Sequence, residues 1–235
     1  MPRPDGRPAD GLRPITLERG ANPHAEGSCL VRFGNTVVLC TASVLETVPV
    51  WRRGRGVGWL TAEYAMLPRA TSDRTPRERS GASGRTQEIQ RLIGRSLRGA
   101  LSTFAFGERT IQIDCDVLQA DGGTRTAAIT GAAVALFEAC RWVATTHGVP
   151  NPFGRFVAAV SVGIVGNEPV LDLSYAEDKT AEVDANVVVL EPDRYVEVQA
   201  TGEAGHFGRA DLDALLRLAD TGVAELFRRQ HAVVT

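Results

Sequence analysis

Lysine is almost absent from this chain: Lys179 is the only one in 235 residues. Positive charge is therefore arginine, and part of that excess reads as the bias of a GC-rich coding sequence. Net charge is only −2, which excludes a globally basic nucleic-acid binder. No C-x-x-C pair occurs. Cys29, Cys40, Cys115 and Cys140 sit in apolar strand-like or helical surroundings, so we expect reduced core thiols and a reducing cytoplasm. The amino terminus lacks an apolar stretch of signal-peptide type. No run of about 18 apolar residues occurs, so no membrane partner is expected. The most apolar helical candidate, around residues 126–146, is interrupted by Glu138 and Arg141. His24, His147, His206 and His231 are scattered without metal spacing, and G-x-S-x-G is missing, which removes the hydrolase triads. The G-x-x-x-x-G-K-[ST] phosphate loop is missing as well.

The charges that are present fall unevenly. Residues 69–98 carry eight arginines against three acids, and residues 168–193 carry eight acids against Lys179 alone. Such a chain can hold an anionic polymer on one half and a cation on the other; two solvated faces would read alike. Residues 1–15 hold several prolines and read as an extended arm. Strand-like runs at 28–33 and 36–44 flank Gly34-Asn35, a hairpin turn signal. A short strand is expected at 58–64. Residues 68–86 form a long, polar, arginine-rich loop, of a kind that is often functional. The apolar stripe Ile89, Leu92, Ile93, Leu97, Ala100 and Leu101 predicts a helix over 87–101, with Arg91, Arg95 and Arg98 on another face. A strand at 110–119 and a helix from the glycine pair to about 146 follow. That helix is apolar nearly all round and so should be buried. The second half reads as strands at 156–165, 170–173, 183–190 and 195–200, then a helix over about 210–229. Its turn Gly166-Asn167 repeats the first one. We expect a mixed α/β (α+β) architecture, sheets packed with helices, in one unit over 1–235, with similar halves at about 12–150 and 151–230.

Two places carry chemistry. Gly122-Gly123 lets the backbone turn tightly and approach a ligand. Thr124-Arg125-Thr126 then enters a helix whose first N–H groups are unpaired, a recipe for anion binding. The arginine fork of Arg125 suits a phosphate. An ordinary helix capped by Thr124 or Thr126 reads the same way. Asp178 and Asp184 flank the entrance of an apolar strand and can converge on a hard cation such as magnesium; an acidic surface loop is the alternative.

Long motifs in one order then settle a resemblance. They are Arg3-Pro4-Asp5-Gly6-Arg7, His24-Ala25-Glu26-Gly27-Ser28, Phe33-Gly34-Asn35-Thr36, Gly58-Trp59-Leu60-Thr61-Ala62-Glu63-Tyr64 and Met66-Leu67-Pro68-Arg69-Ala70-Thr71. Gly84-Arg85-Thr86-Gln87-Glu88 and Asp116-Val117-Leu118-Gln119-Ala120-Asp121-Gly122-Gly123-Thr124-Arg125-Thr126 complete the set. Through nearly its whole length the chain resembles the ribonuclease PH family of phosphate-dependent exoribonucleases. Ala185 is one departure, where methionine is expected.

The resemblance implies a duplicated ribosomal-protein-S5-domain-2-like fold shared with polynucleotide phosphorylase and exosome ring subunits. It implies removal of nucleotides from tRNA precursor 3′ ends by inorganic phosphate, releasing nucleoside diphosphates, with addition as the reverse reaction. Phosphate ligands map to Arg85, Gly123, Thr124 and Arg125. Asp178 and Asp184 map to the acidic residues that hold Mg²⁺ or Mn²⁺, and with Arg125 they are the catalytic candidates. A cytoplasmic homo-hexamer, a trimer of dimers, is implied. Arg69, Arg74, Arg77, Arg79 and Arg91 are candidate RNA contacts, sequence-independent and salt-sensitive; a loop turned to solvent or to a neighbouring subunit competes with that reading. The competing class is a catalytically silent RNA-binding ring subunit, which would be expected to lose the anion loop or an aspartate. Polynucleotide phosphorylase itself needs a longer chain.

Overall fold

The computed structural model describes residues 3–78 and 81–235. Strands β1 (Ile15–Arg19), β2 (Gly27–Phe33) and β3 (Thr36–Leu45) form an antiparallel meander. β5 (Thr110–Gln119) pairs antiparallel with β3, and β4 (Trp59–Met66) lies parallel beside β5, giving the order β1-β2-β3-β5-β4. A parallel neighbour requires a long crossover, supplied by helix α1 (Gly84–Ala100). The second sheet is wholly antiparallel in the order β7 (Glu168–Leu171), β6 (Val157–Val165), β8 (Val183–Leu190), β9 (Arg194–Gly202). Helices α2 (Thr124–His147) and α4 (Arg209–Val234) pack against the sheets, and α3 (Tyr175–Asp178) is a single turn.

The two hairpins close through two-residue loops at Phe33↔Thr36 and Val165↔Glu168. Gly166 and Asn167 both have positive φ, as a type I′ turn needs; in the first hairpin only Gly34 does. The mirror-image turns match the right-handed twist of the strands.

Helix α2 lies between the sheets, touching β2 and β3 on one side and β6 on the other. Its all-round apolar pattern follows from having no solvent face over most of its length. By length and composition alone it could cross a membrane, but 72% of its most apolar window is buried within the protein. Small residues bring it close to the first sheet. A Cβ added to Gly27 would sit 2.0 Å from the Ala135 carbonyl oxygen, and one on Gly131 would sit 2.5 Å from Val31 Cγ1. Cys29, Cys40 and Cys115 are register partners across β2, β3 and β5, and all four cysteines are buried and unbridged.

β7 pairs with β6 only at Val162–Val165. Just before it the Asp172 N–H donates to Ser161 O at 2.7 Å, and side chains meet the edge further back. Thr130 Oγ1 of α2 accepts from the Ala159 N–H at 3.1 Å, and Gln230 Nε2 of α4 donates to Val157 O and Thr130 O, both at 2.9 Å. A buried edge is thus satisfied without another strand.

Several expectations need correction. β1 arises directly after the proline-rich arm, where no strand was expected: Ile15 and Leu17 alternate, but five residues give too short a pattern. The one-turn α3 was not expected either. Helix α1 starts at Gly84, not Gln87, because Ser83 Oγ accepts the Thr86 N–H at 3.3 Å. Arg85 therefore belongs to a helical first turn, and the arginine-rich loop ends at the cap. β7 lies at 168–171, two residues before the expected 170–173.

Gly27→Ala should destabilise the fold by roughly 1–3 kcal/mol or more, because the new methyl meets backbone and not a movable side chain. Urea unfolding checks this; an unchanged midpoint would contradict the close approach of β2 and α2.

Candidate functional site

The turn between β5 and α2 is built by its neighbours. Thr36, fully buried on β3, accepts the Asp121 N–H at 2.8 Å and donates to Gly122 O at 2.6 Å. Gly122 and Gly123 have φ of 77° and 64°. A Cβ on Gly122 would stand 2.6 Å from Leu173 O, so the turn also needs glycine to pass the second half of the chain. Gly123 is the N-cap of α2 and supplies no side-chain acceptor. Neither threonine caps the helix: Thr126 Oγ1 donates back to Gly123 O at 2.9 Å. The first-turn N–H groups therefore have no side-chain partner at the cap and face a cleft of about 640 Å³.

This cleft gathers the expected site. Arg85, Gly123, Thr124 and Arg125 line it together with Asp178 and Asp184. Arg85 arrives on the first turn of α1, Asp178 on α3 and Asp184 on β8. The two sheets thus contribute opposite walls. Other lining residues carried no signal of their own in the sequence: Asp73, Ser161, Asn186, Glu203 and Lys179, the one lysine. Among the RNA-contact candidates, Arg69 and Arg74 are exposed on either side of Thr71–Asp73, which lines the cleft. Arg77 and Arg91 are exposed and do not line it. Arg79 lies outside the described residues.

Electrostatics divide the walls. Burial raises the Asp184 carboxyl to about 6, helped by Asp178 and Glu203 and opposed by Arg125 and Arg85. Asp178 is raised too, by desolvation against the cleft and by Glu203, with Arg85 and Arg125 pulling the other way. Arg125 is steered from outside the cleft: Nη1 donates to Gln199 Oε1 at 3.1 Å and to Glu88 Oε1 at 3.5 Å, and Gln199 Nε2 donates to the same Glu88 oxygen at 3.2 Å. Beneath the cradle, buried Tyr64 donates through its hydroxyl to Thr124 Oγ1 at 2.8 Å. Desolvation pushes the Tyr64 phenol above its usual range, so it stays a donor and leaves the threonine proton free for an acceptor in the cleft. Tyr64 and Glu88 stand in the quoted motifs without a readable role, and Gln199 in none, because each acts through a residue distant along the chain.

A glycine-capped helix start and two arginines, sharing a cleft with two aspartates, make an arrangement suited to phosphate chemistry. Family comparison agrees in kind. The model of the 3′ exoribonuclease family, domain 1, matches residues 11–141, and that of domain 2 matches residues 155–222. Ribonuclease PH of Methylocella silvestris is 55% identical over 235 residues, covering 99% of both chains. The chain belongs to the 3′ exoribonuclease family, the ribonuclease PH family. In fold it is similar to an Archaeoglobus fulgidus exosome structure with RNA bound to its active site (TM-score 0.80, 21% identity, 95% and 91% of the two chains). It is similar also to rice Rrp46 (TM-score 0.76, 20% identity, 99% and 98%).

Two outcomes test the site's physics. Tyr64→Phe removes one hydrogen bond, worth about 0.5–1.5 kcal/mol, and should raise the phosphate KM roughly three- to tenfold with kcat changed less. Steady-state phosphate titration reads this. For Asp184, the folded value lies above the ordinary 3.8. The ionised form is therefore disfavoured by folding, and its cost grows as pH rises from about 4 through 6. Asp184→Asn should match wild-type stability near pH 4 and exceed it at pH 8 by at most about 3 kcal/mol, at about 1.4 kcal/mol per unit. Melting curves across that range, without divalent ions, decide it.

Proposed function

We infer that the chain is a phosphorolytic 3′-to-5′ exoribonuclease that trims the 3′ ends of tRNA precursors and other RNAs. Inorganic phosphate is the nucleophile and nucleoside 5′-diphosphates are released; the reverse reaction adds nucleotides. The observation that carries this is the meeting, in one cleft, of the Gly123–Arg125 cradle and Arg85 with Asp178 and Asp184.

Phosphate rests on the first-turn N–H groups, Thr124, Arg125 and Arg85. One of its oxygens attacks the terminal phosphodiester phosphorus. A P–O–P bond forms, the bond to the preceding 3′ oxygen breaks, and that oxygen takes up a proton. Two anions have to meet, so orientation and positive charge dominate the barrier. Asp178 or Asp184 passes on that proton, directly or through a water. Mg²⁺ or Mn²⁺ would sit on the same pair. Asp178 and Asp184 are hard oxygen donors that line one cleft. That suits a cation which keeps its waters and takes further ligands from substrate phosphates. When bound, the ion offsets charge on the transferring group.

Arg69, Arg74, Arg77 and Arg91 take the RNA backbone in this reading. The homo-hexamer, a trimer of dimers, is supported by the ring-forming family and by exposed Val50 and Trp51, which a neighbouring subunit can cover. A cytoplasmic site of action is supported by four unbridged thiols. The halves at about 12–150 and 151–230 read as copies of one unit, supported by their matching Gly-Asn hairpins. The silent ring subunit is the weaker reading, since Arg85, Arg125, Asp178 and Asp184 are all in place.

Labelled RNA incubated with the protein and Mg²⁺ should yield nucleoside diphosphate only when phosphate is added; monophosphate without phosphate would overturn the reading. Arg125→Ala should lower phosphorolysis about 10²–10³-fold with an unchanged circular dichroism spectrum. Wild-type turnover in that variant would remove Arg125 from the site.

A further inference from the structure

The arm at residues 3–13 has no part in the chemistry above, yet its three arginines are buried or nearly so. Arg3 and Arg13 are buried, as are the carboxylates they meet, Asp172 and Glu177. Arg3 grips Glu177 with both edges of its fork, Nε to Oε1 at 2.6 Å and Nη2 to Oε2 at 3.0 Å, and also donates to Asp172 O at 3.1 Å. Arg7 donates to the same Asp172 carbonyl at 3.1 Å and reaches both carboxylates at 3.5 Å. Arg13 closes on the Asp172 carboxylate from three sides: its backbone N–H at 2.8 Å, Nε at 3.0 Å and Nη2 at 2.7 Å. The same guanidinium then turns to the other wall, donating to Asp121 O and, at 3.4 Å, to Gly122 O.

The two carboxylates hold a segment that cannot hold itself. α3 is four residues long, too short to be stable alone. Its Glu177 folds back on Ser174, accepting from the backbone N–H at 2.8 Å and from the hydroxyl at 2.9 Å. Asp172, just before it, has φ of 57°, in the left-handed region that few non-glycine residues occupy. Asp178 is the last residue of that turn, one position beyond the carboxylate that Arg3 grips.

We propose that Arg3 and Arg13 are positioning residues for phosphorolysis: Arg3 fixes the turn that presents Asp178, and Arg13 ties that acidic wall to the Gly122–Gly123 cradle. Buried ion clusters are weak devices for stability, because desolvation offsets most of the attraction, and apolar packing often serves as well. What forked arginines add is geometry. Arg13 bonds both walls of the cleft with one rigid planar group, so their separation is set by the arm and not only by the core.

The proposal rests on the functional reading above, and Mn²⁺ binding, which needs no turnover, keeps the two tests apart. Arg3→Met should weaken Mn²⁺ binding, followed by the electron paramagnetic resonance of the free ion, at least tenfold, with the phosphate KM within threefold. Arg3→Lys, which keeps the charge and loses the fork, should fall between, and it carries the test alone if Arg3→Met does not fold. Arg13→Lys should instead raise the phosphate KM at least tenfold. An arm that only stabilises the fold would lower the melting temperature in all three while cation binding and KM stay at wild-type values, and that result overturns the proposal. Wild-type protein that forms no nucleoside diphosphate would overturn the functional reading itself, which the variants do not address.

Discussion

The packing of one buried helix between two sheets fixes where the start of that helix meets the second half of the chain. α2 carries the anion cradle on its first turn and is pressed between both sheets for most of its length. The facing acidic wall hangs on the second sheet, through Asp184 of β8. Sheet, helix and sheet therefore form a spacer, and its width depends on Ala127, Ala128, Gly131, Ala132 and Ala135, all small and buried. Protein interiors are packed as tightly as organic crystals, so such a spacer yields little. A larger residue in that stripe would change the site without touching it.

Within the cleft, sign matters less than arrangement. At an effective dielectric near 20, unit charges 4 Å apart interact by about 4 kcal/mol, several times the value in water. Desolvation and Glu203 raise both aspartates, Asp178 adds to the rise at Asp184, and Arg85 and Arg125 oppose it. The balance leaves Asp184 near 6 while no cation is bound. A purely basic cleft would attract phosphate and RNA, yet it would offer no carboxylate to a cation or a proton. The acid-rich and arginine-rich stretches of the sequence are thus two walls of one site.

Much of this was legible beforehand, for local reasons. The strands at 110–119 and 183–190 fall where the apolar runs place them, and the glycine pair marks the α2 start because backbone conformation there needs glycine. β1 and α3 were not legible: five and four residues hold too few periods to declare themselves. Nor were Tyr64, Glu88 and Gln199, which act on Thr124 and Arg125 across 60, 37 and 74 positions. A sequence announces the side chains that meet substrate through their unusual neighbours, whereas supporting side chains look ordinary until the fold brings them together.

The scarcity of lysine takes on a different meaning in that light. Codon bias accounts for many exposed arginines, but it does not account for what the interior ones do. Arg13 serves Asp172, Asp121 and Gly122 at once, and Arg3 serves Glu177 and Asp172. An ammonium is a compact point charge on a flexible stem and has no fork with which to fix two partners in one plane. Lys179, the single exception, lines the cleft beside Asp178, where a mobile positive charge can follow an anion without setting its geometry. Where walls must be held in register the chain uses forks, and its one point charge lies where movement does no harm.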